Sequence, residues 1–194
     1  MAGDEASRSE DKPWRLFVAT DVPEDVRSRL AERLRPLRDE HPELRWSPQE
    51  NWHVTLKFLG AVRPRVVDDA RAGVAAAATK TDPFTSKLLG PDAFPNARRA
   101  RVLWVGLADP DQRFGALAGA LDVALAAIVK PDERRFTPHL TVARARQPVA
   151  IGDELASRAG LESESFPVDR VVLYRSHLRR PAPLYEAVET FPLG

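Results

Sequence analysis

Strand-like and helix-like segments alternate along this chain, and the second half loosely repeats the order of the first. RLFVAT (15–20) reads as a strand. Asp21-Val22-Pro23-Glu24 carries the proline and acids of a helix start, and Val26, Leu30, Leu34 and Leu37 form an apolar stripe at helical spacing, so a helix is predicted from about Pro23 to Arg38. His41–Asn51 is turn-like, WHVTLKFL (52–59) alternates as a strand, and Gly60 punctuates it. A second helix fits Arg65–Ala78. Strands follow at Phe84–Leu89 and Arg101–Leu107, then a helix introduced by Asp109-Pro110-Asp111 with Phe114, Leu117, Leu121, Leu125 and Ile128 on one face. Pro131–Pro138 is a loop, His139–Ala143 a short strand and Gly152–Arg158 a short helix, and the chain closes with strands at Phe166–Arg175 and Leu184–Phe191.

The 194 residues are 43% hydrophobic and 29% charged, enough for a sizeable core and unlike a disordered chain. Residues 1–13 are polar and acidic and read as a disordered leader; residues 14–194 then form a single domain. Without cysteine the fold rests on its core alone, which fits a reducing cytoplasm. No apolar run approaches the ~20 residues of a membrane helix. A net charge of +1 argues against a broad electrostatic grip on duplex nucleic acid. The basic residues are nevertheless skewed, with 24 arginines against 5 lysines, and arginine suits bidentate phosphate contacts.

Two tetrads share one pattern: His53-Val54-Thr55-Leu56 and His139-Leu140-Thr141-Val142. On a strand, side chains alternate with period two, so histidine and threonine project together while the aliphatics turn to the core. With eight threonines in 194 residues, a given histidine has about a 4% chance of a threonine two places on, and two hits among four histidines arise roughly once in a hundred such sequences. Cleaving a phosphodiester in line needs a base for the attacking oxygen and an acid for the leaving one. Histidine titrates near neutrality, so one imidazole can wait neutral and the other protonated. The threonine hydroxyls can donate to the non-bridging oxygens, where charge develops.

With their flanks, NWHVTLKFLG and FTPHLTVAR, these tetrads resemble the signatures of the 2H phosphoesterase superfamily, specifically the RNA 2',3'-cyclic phosphodiesterase group once called 2'-5' RNA ligases. RLFVATDVP, FPNARRARVLWVGL and LYRSHLRRPAPLYE extend the resemblance from Arg15 to Leu193. The resemblance implies a bilobal α+β fold with two antiparallel sheets lining a central cleft, helices outside and pseudo-twofold symmetry. It also implies hydrolysis of RNA 2',3'-cyclic phosphate ends to 2'-phosphomonoesters, with ligation as the reverse reaction. His53 would then be the proton donor to the leaving 3' oxygen, and His139 the proton acceptor that activates water.

Further residues are candidates for substrate binding. Arg144, five places after His139, falls on the opposite face of an ideal strand unless a bulge turns it; the resemblance puts an arginine here near phosphate. Arg101 can clamp phosphate or cap its strand, and His177 can sit at the cleft mouth. Phe58 and Trp52 can stack on a base, although the spacing of five from His53 favours core packing for Phe58, as Trp104 also reads as core. Arg98 and Arg99 read as an RNA-attracting surface, and His41 as a surface histidine.

Neither tetrad has a carboxylate at i+2 or i+4, so no metal and no cofactor is expected. No nucleotidylated-lysine motif or P-loop is present, which excludes an ATP-driven ligase. The rival from another class is an RNA- or nucleotide-binding module of the same fold without catalysis. A cleft between two lobes needs no partner chain, so a monomer is expected.

Overall fold

A computed structural model describes residues 12–109, 111–180 and 182–194. The leader expected over 1–13 lies outside the described residues as far as residue 11, and β1 (Trp14–Asp21) opens the fold. Next come α1 (Glu24–Glu40), β2 (Arg45–Trp46), β3 (His53–Val62), α2 (Val67–Ala78), β4 (Phe84–Ser86), β5 (Leu88–Phe94) and β6 (Ala100–Leu107). The second half continues with α3 (Arg113–Ala124), β7 (His139–Val149), α4 (Gly152–Ala156), β8 (Phe166–Val168), β9 (Arg170–His177) and β10 (Leu184–Pro192).

The strands run in the order β10-β9-β1-β3-β7-β6-β5, every pairing antiparallel, with β2 also on β7 and β4–β8 as a separate pair. β3 and β7 are joined through one residue pair, Val54↔Leu140. The run is therefore two ladders, β10-β9-β1-β3 and β7-β6-β5, meeting at one point. The expected α+β fold with two antiparallel sheets takes this form, and the junction falls inside the two tetrads.

Central position explains the continuous apolar run of β1. Leu16 to Thr20 are all buried because β1 has a strand on each side. Helix α1 buries Val26, Leu30, Leu34 and Leu37, the predicted stripe. Helices α2 and α3 approach closely at Gly73, where an added Cβ would stand 2.8 Å from Leu125 Cδ2 and 3.0 Å from the Ala124 carbonyl oxygen. One core runs beneath both ladders, from Leu30, Leu34 and Val54 to Leu103, Phe114, Leu117 and Leu140.

Several boundaries differ from the sequence reading. The turn-like stretch before β3 contains β2, which pairs Arg45 with Arg144 and Trp46 with Ala143. Gly60 does not end β3; with φ +71° it sits in an irregular stretch of a strand that runs on to Val62. Helix α3 stops at Ala124, and Ile128 packs on the core from the turns that follow. β7 extends six residues beyond Ala143, because β6 continues to pair with it.

Candidate active site

Antiparallel pairing of Val54 with Leu140 sets His53 across from Thr141 and Thr55 across from His139. The tetrads thus lie head to tail about a local twofold, with their histidines and threonines on one face. Both aliphatic partners, Val54 and Leu140, are buried, while the histidines and threonines are half-buried on the other face.

Main-chain carbonyls orient both rings. His139 Nδ1 lies 2.8 Å from the carbonyl oxygen of Thr137. A carbonyl can only accept, so Nδ1 carries a proton, and Nε2 is left free of this contact. His53 is likewise bonded to the backbone of Asn51, two residues before it, and its Nε2 stands 3.1 Å from Thr55 Oγ1. Each histidine therefore takes its bearing from the residue two places earlier. That leaves Nε2 of each ring free of the main chain.

Aromatic rings from neighbouring strands box each imidazole. Phe17 of β1 stacks on His53 at 4.9 Å between centroids, and Tyr185 of β10 meets it edge-on at 5.2 Å. In the other ladder Phe94 and Trp104 meet His139 edge-on at 5.2 and 5.8 Å. Trp104 pairs with Thr141 in register, so its expected place in the core is corrected to the cleft face.

The boxing has an electrostatic consequence. Burial pushes the His53 imidazole down from 6.5 to about 4, against the backbone bond to Asn51 and the charge of Asp21, with His139 adding to the depression. Tyr174 donates to Asp21 Oδ1 at 2.8 Å; burial and this bond hold its hydroxyl well above the usual range. Tyr185 is also raised by burial, and the positive charge of Arg144 partly offsets it. Arg144 and Tyr185 belong to different ladders, so their interaction crosses the junction between the two.

The depressed His53 makes stability depend on pH. A histidine whose pKa falls on folding binds its proton more readily in the unfolded chain. Its contribution is therefore whole above pH 6.5 and is lost as pH falls toward 4. The loss is on the order of 2–3 kcal/mol by pH 4.5, at 1.36 kcal/mol per pKa unit. Urea unfolding at pH 7 and 4.5 checks this: His53→Gln is expected to lose less stability than wild type over the interval, and equal losses would contradict it.

Matching bulges decide which other side chains share the cleft. On β3 the register skips Leu56, and on β7 it skips Val142, in each case three residues after the histidine. Two consecutive residues, Leu56–Lys57 and Val142–Ala143, therefore point inward, and the phase of the strand is reversed beyond them. The residue five places after each histidine is turned onto the histidine's face: Phe58 in one half, Arg144 in the other. The expectation of core packing for Phe58 is thereby corrected; it is 66% exposed, with its ring 6.1 Å from Phe17. Trp52 is core, and its Nε1 donates to the Ser47 carbonyl.

Two candidates are not brought to the imidazoles. His177 is out of phase with Tyr174 and pairs with Leu184, and its Nε2 lies 2.6 Å from Glu186 Oε2. Strand alternation sends it to the face away from Tyr174 and Tyr185. Arg101 is exposed and donates to the Arg146 carbonyl at 3.4 Å, at the irregular end of the β6–β7 pairing. His41 is corrected too: it is half-buried between Glu43 and Glu154, at 2.9 and 3.5 Å. Sequence reasoning missed Phe17, Tyr174, Tyr185 and Phe94. Both tyrosines of the chain flank the closing hairpin, a signal the sequence does carry.

Among the described residues no three His, Cys, Asp or Glu side chains cluster closely enough to hold a metal ion, and no helix is long and apolar enough to cross a membrane.

Comparison with known proteins agrees with this architecture. The RNA 2',3'-cyclic phosphodiesterase of Methanothermobacter thermautotrophicus is 32% identical over 183 residues, covering 92% of this chain and 98% of that one. The crystal structure of TT0787 of Thermus thermophilus superposes with TM-score 0.76 at 28% identity, covering 92% of this chain and 97% of that one. Escherichia coli LigT, crystallised with 3'-AMP, gives TM-score 0.66 at 26% identity over 94% of this chain and 98% of its own. The family described as the 2'-5' RNA ligase superfamily matches residues 22–180. With the twin tetrads, the two ladders and this match in hand, the chain belongs to the 2'-5' RNA ligase superfamily of 2H phosphoesterases.

Proposed function

We propose that this protein hydrolyses RNA 2',3'-cyclic phosphate ends to 2'-phosphomonoesters, acting as a monomer with His53 and His139 as a metal-independent acid and base. The carrying observation is the single antiparallel Val54↔Leu140 bridge, at which the two His-x-Thr strands meet. The Methanothermobacter thermautotrophicus relative is an RNA 2',3'-cyclic phosphodiesterase, which supports the substrate class.

In this reading neutral His139, protonated on Nδ1 against Thr137, takes a proton from water at Nε2. The water oxygen bonds to phosphorus, the bond to the 3' oxygen breaks, and His53 gives that oxygen its proton. Thr55 and Thr141 donate to the non-bridging oxygens as charge builds there. His53 must enter the step protonated, whereas in the free protein it is depressed to about 4. The phosphodiester anion supplies the counter-charge that draws a proton onto the buried ring. Substrate binding thus charges its own acid. Arg144 then faces phosphate, and Phe58 offers an exposed ring to a base. Arg101 and His177 have a weaker claim, each being engaged within its own sheet.

The test is to incubate the protein with an oligoribonucleotide ending in a 2',3'-cyclic phosphate and follow both binding and turnover. Multiple turnovers are expected. Saturable binding with the cyclic end left intact would instead make the protein a recognition module.

A further inference from the structure

Lys57 is the one charged side chain among the described residues that is fully buried, at 2% exposure, and the proposed chemistry leaves it unused. It lies four residues after His53, at the bulge of β3 that turns it away from the cleft. Its three N–H donors meet three acceptors: the Lys130 carbonyl at 2.9 Å, Asp132 Oδ2 at 3.0 Å, and the carboxylate of Asp122. The other oxygen of Asp122 accepts the backbone N–H of Asp132 at 3.3 Å. Burial alone would push the ammonium toward its neutral form; hydrogen bonds to the two aspartates overcome this and hold it charged.

All of these partners lie on the end of α3 and the loop that runs into β7. That loop carries Thr137, whose carbonyl orients the His139 ring. Its far end is tied within its own ladder by Leu107 N–H to the Pro138 carbonyl at 3.3 Å. Its near end is tied to the other ladder by Lys57. β3 and β7 share a single residue pair, and β2 ahead of β3 pairs with β7 at Arg144 and Ala143; the buried cluster adds a tie from β3 itself to the loop that carries Thr137.

We propose that Lys57 is a positioning residue: by anchoring residues 130–132 to the strand of His53, it sets the place and the tautomer of His139 relative to His53. The catalytic part of this inference rests on the function proposed above; the tautomer part does not.

The test combines kinetics with NMR of the histidine rings. Lys57→Met keeps the length of the side chain and removes its charge. Its kcat is expected to fall at least about tenfold with KM within about threefold, since a displacement of 1 Å can cost about a hundredfold. The His139 Nδ1–H signal is expected to weaken as the second tautomer becomes populated. Asp132 is largely exposed, so Asp132→Asn tests the same tie in a protein that folds, with smaller changes in the same direction. Wild-type kcat and an unchanged His139 tautomer in both variants, or in Asp132→Asn should Lys57→Met fail to fold, would overturn the proposal. If wild type itself shows no turnover, the function fails separately, and the His139 signal in the variants still decides the tie.

Discussion

His53→Ala and His139→Ala each lower kcat on a 2',3'-cyclic phosphate by about 10³-fold, within the 10²–10⁴ range of general acid–base catalysis. Neither imidazole can stand in for the other, because each faces its side of the cleft from its own strand and is held there by a backbone partner two residues earlier. Since both act in one step, the double variant is expected to be little slower than either single one. Circular dichroism is expected to stay native: each ring is half-buried against aromatic side chains, and the pairings of His53 with Asp21 and of His139 with Gly106 are made by the backbone, which alanine keeps. Either variant retaining more than a few per cent of wild-type kcat, measured in the folded protein, would contradict the assignment.

Thr55→Val and Thr141→Val are expected to lower kcat by about 10², the loss seen when one preorganised donor to a transition-state oxyanion is removed, with KM changed far less. Valine keeps the shape and the β-branch on the strand, so the hydroxyl is what the comparison removes. In the free protein Thr55 Oγ1 stands 3.1 Å from His53 Nε2. Thr55→Val therefore also removes a partner of that nitrogen, and a change in the pH dependence of kcat should accompany it. Thr141→Val should leave that dependence nearer wild type. Full activity in both variants would make the hydroxyls structural.

What could be read from the sequence was local. His-x-Thr with aliphatic partners reports its own strand phase, so the cleft-facing imidazoles and hydroxyls followed directly, as did the α1 stripe ending at Leu37. What could not be read depends on the neighbouring strand. A bulge exists only relative to a partner's register, so the reversal of phase at Leu56–Lys57 was invisible, and Phe58 was assigned to the wrong face. The same reversal at Val142–Ala143 turned Arg144 into the cleft, which alternation alone had left open. Trp104, Phe17 and Tyr185 come from three different strands, and their convergence on the histidines is long-range packing that periodicity does not encode. His177 illustrates the converse: proximity to a signature in the chain says nothing about its face, and Glu186 beside it in β10 accounts for its ring.

The most direct test of twin-histidine catalysis is ³¹P NMR of an oligoribonucleotide with a 2',3'-cyclic end, incubated with the protein in excess EDTA. The expected result is steady conversion to the 2'-phosphomonoester at the rate seen without chelator, absent in His53→Ala and His139→Ala. Loss of turnover in EDTA, or accumulation of the 3'-phosphomonoester, would contradict it.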